Sequence, residues 1–275
     1  MPKKRLFVAA AGFLLLGAMG IGAGQQPSPD SVEEKPAPKL PDSPSQLFAA
    51  LTKDTRPQWR PYFRETVPHA TGDRYKAALA LGAVGADCYL AAEVRDAQQV
   101  RNLLTDMASL EMMLGISRQM SPLRQKMTSL AGEGDWAGVR TEIASLMANH
   151  AKFLGEQKDG PLAELESIGC WVRAFHICAR FSSKQTAPPP QSCIWSPALL
   201  SDLHTRAVKL NAAAESRTLQ LLVKGLETLT KTWAGETTGA NAATRLATTL
   251  PLLESLVSEL INDEARPDGT KPDKL

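Results

Sequence analysis

The chain has 275 residues, with 31 Lys and Arg against 29 Asp and Glu, a formal charge of +2 and only 5% aromatic residues. Three positives, Lys3, Lys4 and Arg5, sit together at the start; +2 less these three leaves about −1 for the rest, with no clustered basic footprint to displace counterions from nucleic acid. Ala and Leu are plentiful while Tyr and Phe are scarce, which favours helices over strands.

The basic head is followed by an apolar run from Leu6 to Leu16 and then by Gly17, Ala18, Gly20, Gly22, Ala23 and Gly24. This is the build of a bacterial export signal over residues 1–24, with small-residue cleavage sites after Gly20, Gly22 or Gly24. The alternative is an uncleaved anchor, since residues 6–23 approach the roughly 20 needed to span a bilayer; membrane contact is expected only through it. The expected location is therefore the periplasm of a Gram-negative bacterium or the exterior. Residues 25–45 hold Pro27, Pro29, Pro36, Pro38, Pro41 and Pro44 among small and charged residues and read as a disordered linker. Residues 46–262 read as the folded domain and 263–275 as a polar, disordered tail.

Within the domain a short helix is expected over 45–52, then an irregular stretch with Pro57, Pro61 and Pro68. A strong Ala- and Leu-rich helix follows over 73–95. Asp96 caps the next, which stops at Gly115. Ser121-Pro122 reads as a helix start, since proline fits the first turn, and that helix should end near Gly132. Asp135 caps another to about residue 156, and 161–181 forms the next. The Pro188-Pro189-Pro190 run favours an extended segment. Ser196-Pro197 opens a long helical pattern to Trp233, bent around 211–216, and a last helix over 241–262 should kink at Pro251. No alternating strand pattern or hairpin turn is present. The expected fold is all-α, an antiparallel bundle of about six to seven helices. The alternative is a short α-solenoid of helix pairs, suggested by the echo between Asp96-Ala-Gln-Gln-Val100-Arg101 and Asp135-Trp-Ala-Gly-Val139-Arg140, in which Leu104 matches Ile143 and Met107 matches Leu146.

An exported chain exposes its four cysteines to oxidising conditions. Cys170 and Cys178 are separated by about 12 Å of helical rise, too far for a disulfide. Of the two connectivities left, Cys178–Cys193 with Cys88–Cys170 is expected, the former stapling the proline-rich loop at about 3 kcal/mol. The segments Ala80-Leu81-Gly82-Ala83-Val84-Gly85-Ala86-Asp87-Cys88 and Ile168-Gly169-Cys170-Trp171-Val172-Arg173, with the Gly134-Asp135-Trp136 helix start, resemble an uncharacterised group of exported helical bacterial proteins. The resemblance covers roughly residues 75–181 and implies no activity. Cys88 and Cys170 stand where small residues such as Gly are expected in that group, which fits a close approach of two helices.

Asp87 and Arg173 flank those cysteines and are expected to pair, as a register-fixing ion pair or as part of a small-ligand site that includes His176. His69, His150, His176 and His204 are scattered, with neither Glu-x-x-His nor H-E-x-x-H, so no metal site is expected. The chain lacks C-x-x-C, C-x-x-C-H, G-x-S-x-G, S-x-x-K and a phosphate-binding loop, so no cofactor and no catalytic residue is assigned. Most Asp and Glu read as solvated. Trp59 and Trp195, on proline-punctuated segments, are expected first to pack their rings against the bundle; the sharper alternative is a shared groove for a partner peptide or envelope glycan. The leucine stripe at Leu203, Leu210, Leu222, Leu226, Leu229 and Trp233 reads as core, and the oligomeric state is left open. The expected function is a non-enzymatic interaction or accessory protein of the cell envelope, its partner an unknown protein or glycan. The alternative is a small-ligand-binding helical domain with its polar site at Asp87 and Arg173.

Overall fold

A helix that is apolar all round must be covered all round, and the Ala-rich segment after Asp73 meets that requirement. In the computed structural model, which describes residues 43–52, 59–64, 72–184, 195–214, 216–235 and 239–262, it forms helix α2, Arg74–Val94. Every residue of α2 from Ala77 to Ala92 is buried. By length and composition α2 is long and apolar enough to cross a membrane, but its surface is covered by protein. Asp73 starts it: Oδ1 accepts from the amides of Tyr75 at 2.8 Å and Lys76 at 3.3 Å.

The described residues form nine α-helices and no strand: α1 Pro44–Thr52, α2, α3 Ala97–Leu114, α4 Ser117–Glu133, α5 Trp136–Glu156, α6 Gly160–Ser182, α7 Pro197–Ala213, α8 Arg217–Thr232 and α9 Gly239–Val257. A 3₁₀ turn, Arg60–Tyr62, precedes α2, and a π-helical turn, Ser258–Asn262, extends α9. The all-α bundle is thus observed. The leader, the linker up to residue 42, His69, the proline run, Cys193 and residues 263–275 lie outside the described residues.

Helices α2 to α6 reverse direction through corners built alike. One residue takes the left-handed conformation: Arg95 (φ 58°), Gly115 (78°), Gly134 (77°) or Lys158 (64°). The next amide then donates to a carbonyl five residues back: Asp96 to Ala91 at 3.1 Å, Ile116 to Glu111 at 2.9 Å, Asp135 to Leu130 at 2.9 Å, and Asp159 to Leu154 at 2.8 Å. These Schellman bonds satisfy carbonyls that the ending helix leaves free. The echo between α3 and α5 has a structural counterpart. Asp96 caps Gln99 and Asp135 caps Gly138, and Val100, Leu104 and Met107 are buried like Val139, Ile143 and Leu146.

Two boundaries depart from expectation. Helix α4 starts at Ser117, so Pro122 lies inside it at the sixth position rather than in the first turn. A proline there removes one intrahelical bond. Arg124 Nη2 meanwhile donates to the Ser117 carbonyl at 3.3 Å, tying down the first turn. The long pattern before Trp233 is two helices, α7 and α8, separated between Ala213 and Arg217. The leucine stripe packs inward as expected, with Leu203, Leu222, Leu226, Leu229 and Trp233 buried and Leu210 packed partly against the core.

The expected disulfides are not formed. Cys88, Cys170 and Cys178 are buried free thiols. Cys88 and Cys170 come near each other where α2 meets α6, as expected, but burial pushes both thiols far above their ordinary pKa. A desolvated, protonated thiol packs as a small apolar group and is a poor nucleophile toward a neighbouring sulfur. Cys178 is a free thiol too, so the expected link to Cys193, which lies outside the described residues, is not made.

Helices α2 and α6 share the broadest interface in the fold. Two glycines permit it. A Cβ on Gly82 would lie 1.8 Å from the Glu166 carbonyl oxygen, and one on Gly169 would lie 2.2 Å from that of Leu79. The obstructing atoms are backbone, which no side-chain rotation clears. Gly82→Ala or Gly169→Ala is therefore expected to cost about 3 kcal/mol or more, at the upper end of overpacking penalties, as measured by urea unfolding. An unchanged midpoint for either variant would contradict this packing.

Candidate functional site

The glycine contact places polar residues of both helices inside the protein. Arg173 lies four residues beyond Gly169 on the same face of α6, and Asp87 five beyond Gly82 on α2. Both are 1% exposed. Arg173 Nε donates to Asp87 Oδ1 at 2.8 Å, and Nη2 to the Tyr62 carbonyl at 2.7 Å. Arg173 Nη1 lies 2.8 Å from His176 Nδ1, one turn along α6. Arg64, from the segment after the 3₁₀ turn, donates from Nε to Asp87 Oδ2 at 2.5 Å. One buried carboxylate is thus shared by two guanidinium groups, and a third segment is tied to the α2–α6 pair. Asp87, Arg173 and His176, grouped from the sequence, do come together. Arg64 was not foreseen, because nothing in its irregular stretch sets the direction of its side chain.

A guanidinium only donates, so His176 Nδ1 accepts and the ring proton sits on Nε2. Burial, followed by the charge of Arg173 and then Arg180 and Arg64, lowers the His176 pKa to about 3. The ring is a neutral element of the cluster.

A second buried cluster was not anticipated. His150, fully buried on α5, lies with Nδ1 2.7 Å from Glu166 Oε1 of α6 and Nε2 3.0 Å from Glu111 Oε1 of α3. Arg124 of α4 pairs with the other Glu111 oxygen. Each ring nitrogen lies against one carboxylate, so one side chain joins three helices. Glu111 and Glu166, read as solvated, are in fact interior. The signal was periodicity: Glu111 continues Val100, Leu104 and Met107, and His150 continues Val139, Ile143 and Leu146, at helical spacing. Among the described residues no group of three His, Cys, Asp or Glu could hold a metal ion.

Trp59 and Trp195 are both interior. Trp59 packs between Phe48, Tyr62 and Phe181, with ring centroids 5.2–6.0 Å away. Trp195 stacks between Phe175 at 5.3 Å and Trp233 at 4.7 Å. With exposures of 4% and 2%, their faces cement α1, the 3₁₀ turn, α6 and α8 rather than line a groove. His204 lies on α7.

The open clefts lie elsewhere, at the start of α2. One of about 390 Å³ is lined by Asp73, Lys76, Arg217, Thr218, Leu221, Ser258 and Glu259. The other, about 350 Å³, is lined by Gly72, Asp73, Arg74, Tyr75, Lys158, Asp159, Pro161 and Leu162. Asp73 borders both, its Oδ2 accepting from Thr218 Oγ1 at 2.9 Å. Arg74 Nη2 donates to Asp159 Oδ2 at 2.7 Å across the second. Sequence reasoning missed both clefts, because they depend on three helix starts meeting at one end of the bundle. Comparison with protein-family models, with curated proteins and with solved structures finds no match.

Asp87→Asn leaves two buried guanidinium groups facing a neutral amide and is expected to cost about 3–5 kcal/mol, measured by thermal and urea unfolding. Stability should also depend on pH through His176. Its folded pKa lies below that of the unfolded ring, so the unfolded chain takes up the proton first. The stabilisation is complete above about pH 6.5 and is lost as pH falls toward 3, by up to about 1.4 kcal/mol per pH unit. His176→Gln, whose amide oxygen can accept from Arg173, should flatten this part of the profile; equal slopes for both proteins would count against it.

Proposed function

We propose that the protein is an exported, non-enzymatic interaction or accessory protein of the bacterial cell envelope, delivered to the periplasm and docking an envelope protein or glycan. Two features support the reading from the sequence. They are the basic, apolar and small-residue leader and the proline-rich stretch beyond it, which suits a spacer between leader and domain. The observation that carries it is how the domain uses its polar groups. The ion clusters at Asp87 and His150 bind helices to one another, whereas the clefts around Asp73 are open and mix both signs of charge with Tyr75 and Leu162. Arginine and tyrosine beside apolar patches are the residues that anchor protein and sugar partners.

The test joins cell fractionation to affinity capture from a solubilised envelope fraction. Mass spectrometry of the mature N-terminus should show cleavage after Gly20, Gly22 or Gly24. Arg217→Glu with Lys158→Glu should reduce partner capture at least tenfold while the melting temperature stays within about 2 °C, as expected for surface substitutions. A cytoplasmic protein with intact Met1, or capture indifferent to both charge reversals, would refute the reading.

A further inference from the structure

The Asp87 cluster holds more donors than acceptors. Both oxygens of Asp87 are engaged, Oδ1 by Arg173 and Oδ2 by Arg64. Arg173 places its Nε, Nη1 and Nη2 on Asp87, His176 and the Tyr62 carbonyl. Two buried donor atoms of the same cluster have no partner: Arg64 Nη1 and His176 Nε2. The Arg64 side chain is 7% exposed and His176 6% exposed, so bulk water serves neither. An unmet donor at such depth carries a full desolvation cost, and interiors seldom leave one without an occupant.

Charge says what kind of occupant fits. Arg64, Arg173 and Arg180 act on this region, opposed by Asp87 and the half-buried Asp106. Within hydrogen-bond distance, two guanidinium groups, Arg64 and Arg173, share one carboxylate, Asp87. One more negative charge balances the set. With Asp87, Arg173, His176 and the Arg64 side chain all buried, a group of few atoms suits the place.

We propose that Arg64 Nη1 and His176 Nε2 hold a small monoanion, a halide or a formate-sized carboxylate, inside the α2–α6 polar cluster. The anion accepts from both donors and neutralises the excess guanidinium charge. Asp87 and Arg173 frame the site and make no contact with the anion. This binding site is separate from the clefts at Asp73 and does not depend on the envelope reading.

The test follows thermal unfolding of the purified protein at pH 7 and constant ionic strength, in sodium chloride, sodium formate or sodium gluconate, the last too bulky to enter. Chloride or formate should raise the melting temperature saturably, by about 5 °C over gluconate at a hundredfold excess over Kd. The chloride and formate arms distinguish the two anion sources. The His176 Nε2–H resonance in ¹⁵N-labelled protein should shift along the same titration. Arg64→Lys keeps the charge but removes the forked donor, and should abolish at least half of the anion-dependent rise. If that variant does not fold, the His176 resonance in the unaltered protein decides. Equal melting in all three salts with an unmoved resonance overturns the proposal, and so does a full anion response in Arg64→Lys. An Nε2–H that shows contact only with exchanging water assigns the place to solvent and equally overturns it.

Discussion

The backbone of α2 touches the backbone of α6, and the rest of the architecture depends on that contact. Gly82 lies against the Glu166 carbonyl and Gly169 against that of Leu79, so neither helix can carry a side chain there. Close approach of two helices replaces layers of side chains with direct van der Waals contact along the chain. It also fixes the lateral position of one helix on the other, because two reciprocal notches align in a single register. With α6 on one side and α3, α5, α1 and the π-helical turn around the rest, α2 is enclosed, and its Ala-rich sequence has an interior place to occupy.

That register decides the polar interior. Glu166, Gly169, Arg173 and His176 recur at spacings of three and four, so they lie along one face of α6. The glycine contact sits between two ion clusters. On one side Glu166 meets His150 and Glu111; on the other Arg173 meets Asp87, Arg64 and the Tyr62 carbonyl. Inside protein a misplaced charge is costly, so a slip of α6 along α2 would leave carboxylates and guanidiniums facing apolar groups. The clusters penalise wrong registers; the apolar surface supplies the general drive to collapse. Free thiols at Cys88 and Cys170 belong to the same packed region and serve it as small apolar side chains.

The aromatic residues extend this core outward. Trp171, Phe175, Trp195 and Trp233 form a continuous row, and the indole of Trp233 donates to Thr249 Oγ1 at 2.8 Å, which joins α8 to α9. Phe48, Trp59, Tyr62 and Phe181 form a second group that fastens α1 and the 3₁₀ turn to α6. Few aromatics are present, and these eight are placed where segments of different origin must be joined. Among the described residues the large hydrophobics left to solvent are Met112 and Val208.

Local signals were legible in the sequence. Asp73, Asp96, Asp135 and Ser196 announce helix starts because a short polar side chain can satisfy amides within two or three residues, and all four do so. Gly115 announces a stop because it takes the left-handed conformation without strain. The meeting of Asp87 with Arg173 was also readable, since Asp87 ends a run of small residues and Arg173 follows Gly169-Cys170, where another helix can approach. What only the tertiary structure decided involves residues distant in sequence. No local pattern places Arg64 on Asp87, closes His150 between two glutamates, leaves Cys88, Cys170 and Cys178 as thiols, or turns Trp59 and Trp195 inward. A side chain's chemistry is set by which helices surround it, and that is fixed by packing over the whole chain rather than by its neighbours in sequence.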